Sequence, residues 1–264
     1  MIGRTPHEIW QRSLDDGEAR LERRLSVIAA TSLLGGFHVM LGLLAVVVVT
    51  GALEEVTAET AAHVLGSLTF GLGLAFITVG RSELFTENFL VPVSTVLVGR
   101  GSGRDLLRLW GIALALNVVG MAAFAAILSV EGVIESSATA AAGELADTLL
   151  DRTLLASFLS AVLAGSVMTT FTWLAEAAES DVTRVVVALL VGFLLLAPSM
   201  NHAVVGTGEI LLGIFAGTSD AGFLDLAGNL GVATAGNLVG GIGLITFTRL
   251  VQSREEPGVG GSSS

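Results

Sequence analysis

Cysteine is absent from all 264 residues, which excludes disulfides, thiol chemistry and thiolate metal sites. Tyrosine and lysine are absent as well, so all 13 basic residues are Arg. Proline occurs only four times, and charged residues make up 14%, against about 25% in soluble domains. What fills the chain instead is apolar: 52% hydrophobic residues, a mean hydropathy of +0.80 and 33 Gly. That composition points to a membrane protein whose small residues let helix backbones approach closely. A net charge of -11 argues against a nucleic-acid partner. The first 25 residues are charged and amphipathic rather than an apolar h-region, so no cleavable signal peptide is expected.

Ile9, Trp10, Leu14, Leu21 and Leu25 share one helical face, with Arg12, Arg20, Arg23 and Arg24 elsewhere on the turn. Residues 1–25 therefore read as an amphipathic helix, lying either on the membrane surface or against its own protein. Residues 26–251 read as an all-α integral membrane domain with six spans, each with at least the roughly 20 residues that a crossing needs. The spans are Ser26 to Thr50, Val64 to Val98, Leu106 to Val130, Thr153 to Ala175, Val185 to Ala216 and Leu226 to Val251. Between them, 51–63, 131–152 and 218–225 read as acidic loops, the second with Ala-rich helical stretches. Residues 252–264 read as a disordered tail. Of the 13 Arg, 11 fall in the N-terminal segment, the turns at 100–108 and 184, and the stretch from Arg249 onward. The positive-inside rule then places both termini in the cytoplasm, and the membrane expected is a prokaryotic-type plasma (inner) membrane.

Two spans are interrupted. Arg81, Glu83, Thr86, Glu87 and Asn88 break the second, and Pro198 to His202 break the fifth. Cut helix ends carry unpaired N–H and C=O groups that lipid cannot satisfy, so such backbone lines a cavity or is held by other parts of the protein. Freed N–H groups there can bind an anion. Glu87, Glu209 and Arg81 each cost roughly 2.5–3.5 kcal/mol at a helix centre, so each should pair or face a cavity. Arg81 is expected to pair with Glu83 or Glu87. Glu209 lies two turns beyond His202 and is a candidate for the pore axis. Histidine ordinarily titrates at about 6.5, which makes His202 either a pore group or a core residue satisfied by hydrogen bonds. His38 reads as packing or helix-to-helix hydrogen bonding and His63 as solvated, and the scattered histidines give no metal site.

Ala115-Leu-Asn-Val-Val-Gly120 in the third span and Ala235-Gly-Asn-Leu-Val-Gly240 in the sixth share one pattern, 120 residues apart, and Thr86 and His202 lie 116 apart. Three spans repeated after an odd number of crossings are inverted, and such 3+3 repeats place binding sites near the midplane. Asn117 and Asn237 are then either helix-packing residues or pore residues.

Phe70-Gly-Leu-Gly-Leu74, Glu83-Leu-Phe-Thr86, Asn201-His202 and Gly236-Asn-Leu-Val-Gly-Gly241, in this order on these spans, resemble the formate/nitrite transporter family. The resemblance runs from the N-terminal helix to Arg249. It implies an aquaporin-like protomer, a homopentamer in the bilayer, and movement of small monovalent anions of the formate, nitrite or acetate type, often with protons. It also implies that Leu84, Phe85 and Thr86 form the loop of the broken second span, with Thr86 contacting the central His202. Phe70 and Leu74 match the apolar constriction, and Leu195 falls where the family carries an aromatic. Further departures are Asn201 in place of the family's Glu, Thr169 in place of an Asn, Arg152 near an expected Lys, and the extra acids Glu87 and Glu209. They indicate a divergent subgroup close to the YfdC-type branch. A channel for small neutral solutes and a cation-tolerant or proton-conducting variant remain alternatives. An enzyme is disfavoured because no nucleophile–base set or metal or haem ligand pair is present, and no cofactor is expected. A scaffold would not need two broken helices.

Overall fold

The computed structural model describes residues 3–254, and among them every regular element is helical. The tail from Glu255 onward lies outside the described residues. Helix α1 (Pro6–Leu21) starts at a capping box: the Thr5 hydroxyl accepts from the Glu8 N–H, and the Glu8 carboxylate accepts from the Thr5 N–H. Its apolar face is buried against the protein itself, Ile9, Trp10 and Leu14 with Leu90 and Trp173, and Leu21 with Ile28 and Leu109. Of the two readings of this helix, packing on its own chain is the one observed.

Five helical segments are long and apolar enough to cross a membrane. They are α2 (Leu25–Glu54), the pair α3 (Glu59–Ser67) and α4 (Gly71–Gly80), α6 (Gly103–Leu128), α8 (Leu154–Ala177), and the run of α11 (Phe223–Leu238), a π-helical stretch (Val239–Thr246) and α12 (Phe247–Gln252). Their outward side chains are apolar, Leu155, Leu163 and Val251 among them, as an exterior solvated by lipid requires.

The structure revises several boundaries. The first acidic loop shrinks to residues 55–58, because α2 continues to Glu54 and α3 begins at Glu59. After the first break the chain does not resume a crossing. A 3-10 turn (Phe85–Phe89) leads into the seven-residue α5 (Val91–Leu97), which lies against α1 and stops before Gly99 at a φ of +80°. The expected fifth span is two short helices, α9 (Asp181–Leu196) and α10 (Ala203–Ala216). The expected second loop is largely helix α7 (Ser136–Leu150), which packs on α10 through Ala142, Ala146 and Leu149. Its acids, Glu144 and Asp147, sit away from that small-residue face and gave the stretch its loop-like polarity.

Glycine sets the closest helix approaches. A Cβ on Gly36 of α2 would collide with the Asn117 carbonyl of α6, and one on Gly165 of α8 with the Asn237 carbonyl of α11. Gly120 meets the Leu33 carbonyl and Gly240 the Val162 carbonyl in the same manner. The two Asn-x-x-Gly motifs therefore sit in matching helix crossings, α6 on α2 and α11 on α8.

Candidate functional site: two helix breaks between two cavities

Both breaks open on a non-glycine residue in the left-handed region, Arg81 (φ 52°) after α4 and Ser199 (φ 50°) after α9. Helix α4 ends there with the Arg81 N–H on the Ile77 carbonyl, and beyond α9 the Met200 N–H returns to the Leu195 carbonyl. Two buried asparagines then take up the loose backbone. Asn117 Oδ1 accepts from the Phe85 N–H at 3.0 Å, while its Nδ2 donates to the carbonyls of Ser32 and Glu83 at 2.7 and 3.0 Å. Asn237 Oδ1 accepts from the Ala203 N–H at 2.9 Å, and its Nδ2 donates to the carbonyls of Ala161 and Asn201 at 2.7 and 3.2 Å. Each side chain thus closes two main-chain groups that the break leaves open and ties them to a carbonyl of a neighbouring unbroken helix, α2 or α8.

These bonds also fix which residues correspond. Phe85 matches Ala203, Glu83 matches Asn201, and Arg81 matches Ser199, each 118 positions apart. In that register Leu84 stands opposite His202. The 116-residue spacing that set Thr86 opposite His202 is off by two, because it aligned polar side chains instead of backbone.

His202 is the N-cap of α10, and its Nδ1 accepts from the Val205 N–H at 3.2 Å. An accepting Nδ1 carries no proton, so the neutral ring holds its hydrogen on Nε2. Nε2 is buried and has no partner. The Thr86 and Thr169 hydroxyls are likewise buried without partners among the described residues, so no hydrogen bond joins Thr86 to His202. The 3-10 turn carrying Thr86 packs against α8, which carries Thr169, and α10, which His202 caps. Three unsatisfied polar side chains thus come from one turn and the two helices that it packs against, where native interiors leave few such groups.

Phe70, Leu74, Leu84, Phe85 and Leu195 are each at most 3% exposed and belong to one cluster. Phe85, Phe89 and Trp110 meet edge to face at centroid distances of 5.1–6.0 Å, and Trp110 Nε1 donates to the Asn88 carbonyl. The π-helical stretch closes the far side. Gly241 sits against Thr169 and Phe89, and Thr246 donates to the Phe89 carbonyl at 2.8 Å.

A cavity opens at each end of α9. One, of about 190 Å³, is bordered by Arg184 near the start of α9, by α1 and by the end of α4. The other, of about 220 Å³, holds Ser199 just past the end of α9, with the start of α3 and α7. Sixteen residues of α-helix, about 24 Å, separate them. The α1-side mouth is lined by Arg12, Arg20, Arg23 and Arg81 together with acids, while the α7-side mouth carries Glu54, Glu59 and Glu144 and no Arg.

The charges in the first break are arranged otherwise than expected. Glu83 pairs with Arg23 at 2.6 Å and with Arg20 at 3.5 Å. Arg81 makes no ion pair among the described residues; its left-handed backbone turns it out to the α1-side mouth. Glu87 lines that mouth. Glu209 lines neither cavity. It shares a face of α10 with Gly206 and Gly213, which lie against α7, and its charged neighbour is Arg152. Burial pushes the Arg152 guanidinium down, and Glu209 pushes it back up. Asn201, facing the second break, is neutral and exchanges amide hydrogen bonds with Asn229 at 2.9 and 3.2 Å. His63 is not simply solvated: its Nε2 lies 3.2 Å from the Ala197 carbonyl at the end of α9. No cluster of metal-binding side chains occurs among the described residues.

Residues 7–251 match the family model described as formate/nitrite transporter. This chain belongs to the formate/nitrite transporter family. It is 27% identical over 251 residues to the inner membrane protein YfdC of Escherichia coli (strain K12), covering 94% of this chain and 79% of that one. Among solved structures, an FNT family ion channel superposes with a TM-score of 0.79 at 19% identity, over 92% of this chain and 98% of the other. A pentameric formate channel with formate bound superposes with a TM-score of 0.71 at 20% identity, over 86% and 96% of the two chains. Membership makes this a multi-pass membrane protein of a transporter and channel family, not an enzyme.

Sequence reasoning did not anticipate Arg20 and Arg23 as partners of Glu83, nor Trp110, Asn229 and Thr246 as supports of the breaks. Each acts on backbone or on a distant segment, and no local spacing marks that. Arg20 and Arg23 were visible only as the polar side of an amphipathic helix.

Proposed function

We propose that each protomer moves small monovalent weak-acid anions of the formate, nitrite or acetate type across the membrane, together with a proton. The observation that carries this reading is the set of three buried polar groups without partners among the described residues, the His202 Nε2 and the Thr86 and Thr169 hydroxyls, on the first-break turn and the two helices it packs against. An Nε2–H and two hydroxyls are donors suited to anion oxygens, and charge-assisted bonds of that kind are the stronger ones. Phe70, Leu74, Leu84 and Leu195 belong to the buried apolar core, surface that a bare anion crosses only at high cost, so the species passing is the neutral acid. A formate-bound relative of the same fold supports the substrate class, and its pentameric assembly supports a homopentamer here.

In this reading the chain crosses six times in two inverted halves, with α9 and the α10 break forming the fifth passage. The matching Asn117 and Asn237 bond sets support that arrangement. The Arg-rich α1 side faces the cytoplasm of a plasma (inner) membrane. The acidic α7-side mouth favours a second reading, a cation-tolerant or proton-conducting variant.

Flux into proteoliposomes decides between these. The proposal expects saturable uptake of at least one of formate, nitrite and acetate, lowered tenfold or more by His202→Ala and by Thr86→Ala. Wild-type protein that passes only protons, other cations or neutral solutes contradicts it.

A further inference from the structure

We infer that Glu87 carries the proton that accompanies the anion, relaying it between the α1-side mouth and the centre of the protomer. The inference rests on the anion-transport reading above. Glu87 and Thr86 are consecutive residues of one 3-10 turn. Thr86 is fully buried with an unpaired hydroxyl, whereas Glu87 borders the 190 Å³ cavity. A single turn therefore spans from the mouth to the polar centre.

His202 is poorly placed for the task. Its Nε2 already bears the hydrogen, and surrendering that proton first requires loading one onto Nδ1. Nδ1 is occupied by the Val205 N–H that starts α10. The other acids at the mouth are committed. Glu83 is held by Arg20 and Arg23, and Glu176 by Arg12 at 3.1 Å. Asp16, on α1, lines the same cavity and shares a hydrogen bond with Glu176. Glu87 makes no ion pair among the described residues. The groups that face it are Arg20, already shared with Glu83 and Asn88, the carboxylates of Glu83 and Glu176, and the Leu84 backbone. Arg23, Arg81 and Arg184 complete the charged wall of the cavity.

The step balances simply. The Glu87 carboxyl gives its O–H proton to an oxygen of the anion held beside Thr86, forming the neutral acid and a Glu87 carboxylate. Water in the α1-side cavity then returns a proton to the carboxylate. Transport in the opposite sense runs the same transfers backwards.

Formate-gradient flux in proteoliposomes, with an internal pH dye and a recorded membrane potential, tests this. Wild type is expected to move one proton with each formate. Glu87→Gln is expected to lose proton co-movement and to lower formate flux tenfold or more, with a flattened pH profile. One-for-one coupling retained in Glu87→Gln overturns the inference. Wild type that moves no weak acid overturns the anion reading instead, so the two failures are distinguishable. Should Glu87→Gln not fold, Glu87→Asp serves. Its carboxyl is set back by one methylene, and coupled flux at least tenfold slower at unchanged stoichiometry is expected, while the wild-type rate overturns the inference.

Discussion

Replacing Asn237 by Ala removes, in one step, three buried hydrogen bonds, to the Ala203 N–H and to the Ala161 and Asn201 carbonyls. The Ala161 carbonyl lies inside α8 and keeps its helical bond, so two groups are orphaned, at about 1–3 kcal/mol each. The summed penalty is therefore at least about 2 kcal/mol, a large part of the 5–15 kcal/mol that typically holds a folded domain together. Asn117→Ala removes the equivalent three bonds and should cost the same within about 1 kcal/mol. Asn229→Ala is the control. It strips Asn201 of one amide partner but leaves Asn201 Nδ2 on the Ser157 hydroxyl at 2.7 Å, so about 1 kcal/mol is expected. Equilibrium unfolding in mixed micelles gives the energies, and amide hydrogen exchange at Phe85 and Ala203 localises them. If both Asn117→Ala and Asn237→Ala cost under about 1 kcal/mol and leave those amides protected, the asparagines do not hold the breaks.

Arg23→Ala takes the 2.6 Å partner from Glu83, which is 2% exposed, and leaves it only the longer contact to Arg20. A loss of about 3 kcal/mol is expected in the same unfolding assay, since breaking a buried pair strands a charge. Gly165→Ala should cost more than about 2 kcal/mol because its Cβ meets the Asn237 carbonyl, whereas Gly111→Ala, which opens on empty space, should be neutral or stabilise by up to about 1 kcal/mol. At the start of α1, the Thr5 N–H and hydroxyl hold the Glu8 carboxyl below its ordinary range. That cap is present above the unfolded glutamate value and is lost as pH falls through the lowered one, so amide protection in the first turn of α1 should disappear on acidification and not on alkalinisation.

The long apolar runs 26–50, 106–130, 153–175 and 226–251 were legible because nothing but a crossing helix accommodates twenty such residues. The breaks were legible for the converse reason: Arg81 to Asn88 and Pro198 to His202 are polar where polarity is expensive. What was not legible is what those breaks lean on. Asn117 and Asn237 stood out as a repeated motif, but their partners are backbone atoms, which leave no trace in side-chain identity. For the same reason the sequence aligned Thr86 with His202 by chemistry, while the hydrogen bonds align Leu84 with it. Arg81 was matched to acids beside it, but a left-handed cap turns it away and α1 brings Arg20 and Arg23 from some sixty residues upstream. Helix α7 was legible only as Ala-rich helical stretches within an acidic loop, because Glu144 and Asp147 on its outward side mask the small residues that pack.

The most direct test is the imidazole nitrogen resonances of His202 in ¹⁵N-histidine-labelled protein in lipid, assigned by their absence in His202→Gln. The account predicts the Nε2–H tautomer at neutral pH, with the Nε2 signal shifting when formate or nitrite is added and staying put with glycerol. A hydrogen on Nδ1, or an Nε2 signal indifferent to every weak-acid anion, would contradict an anion site at the centre of this protein.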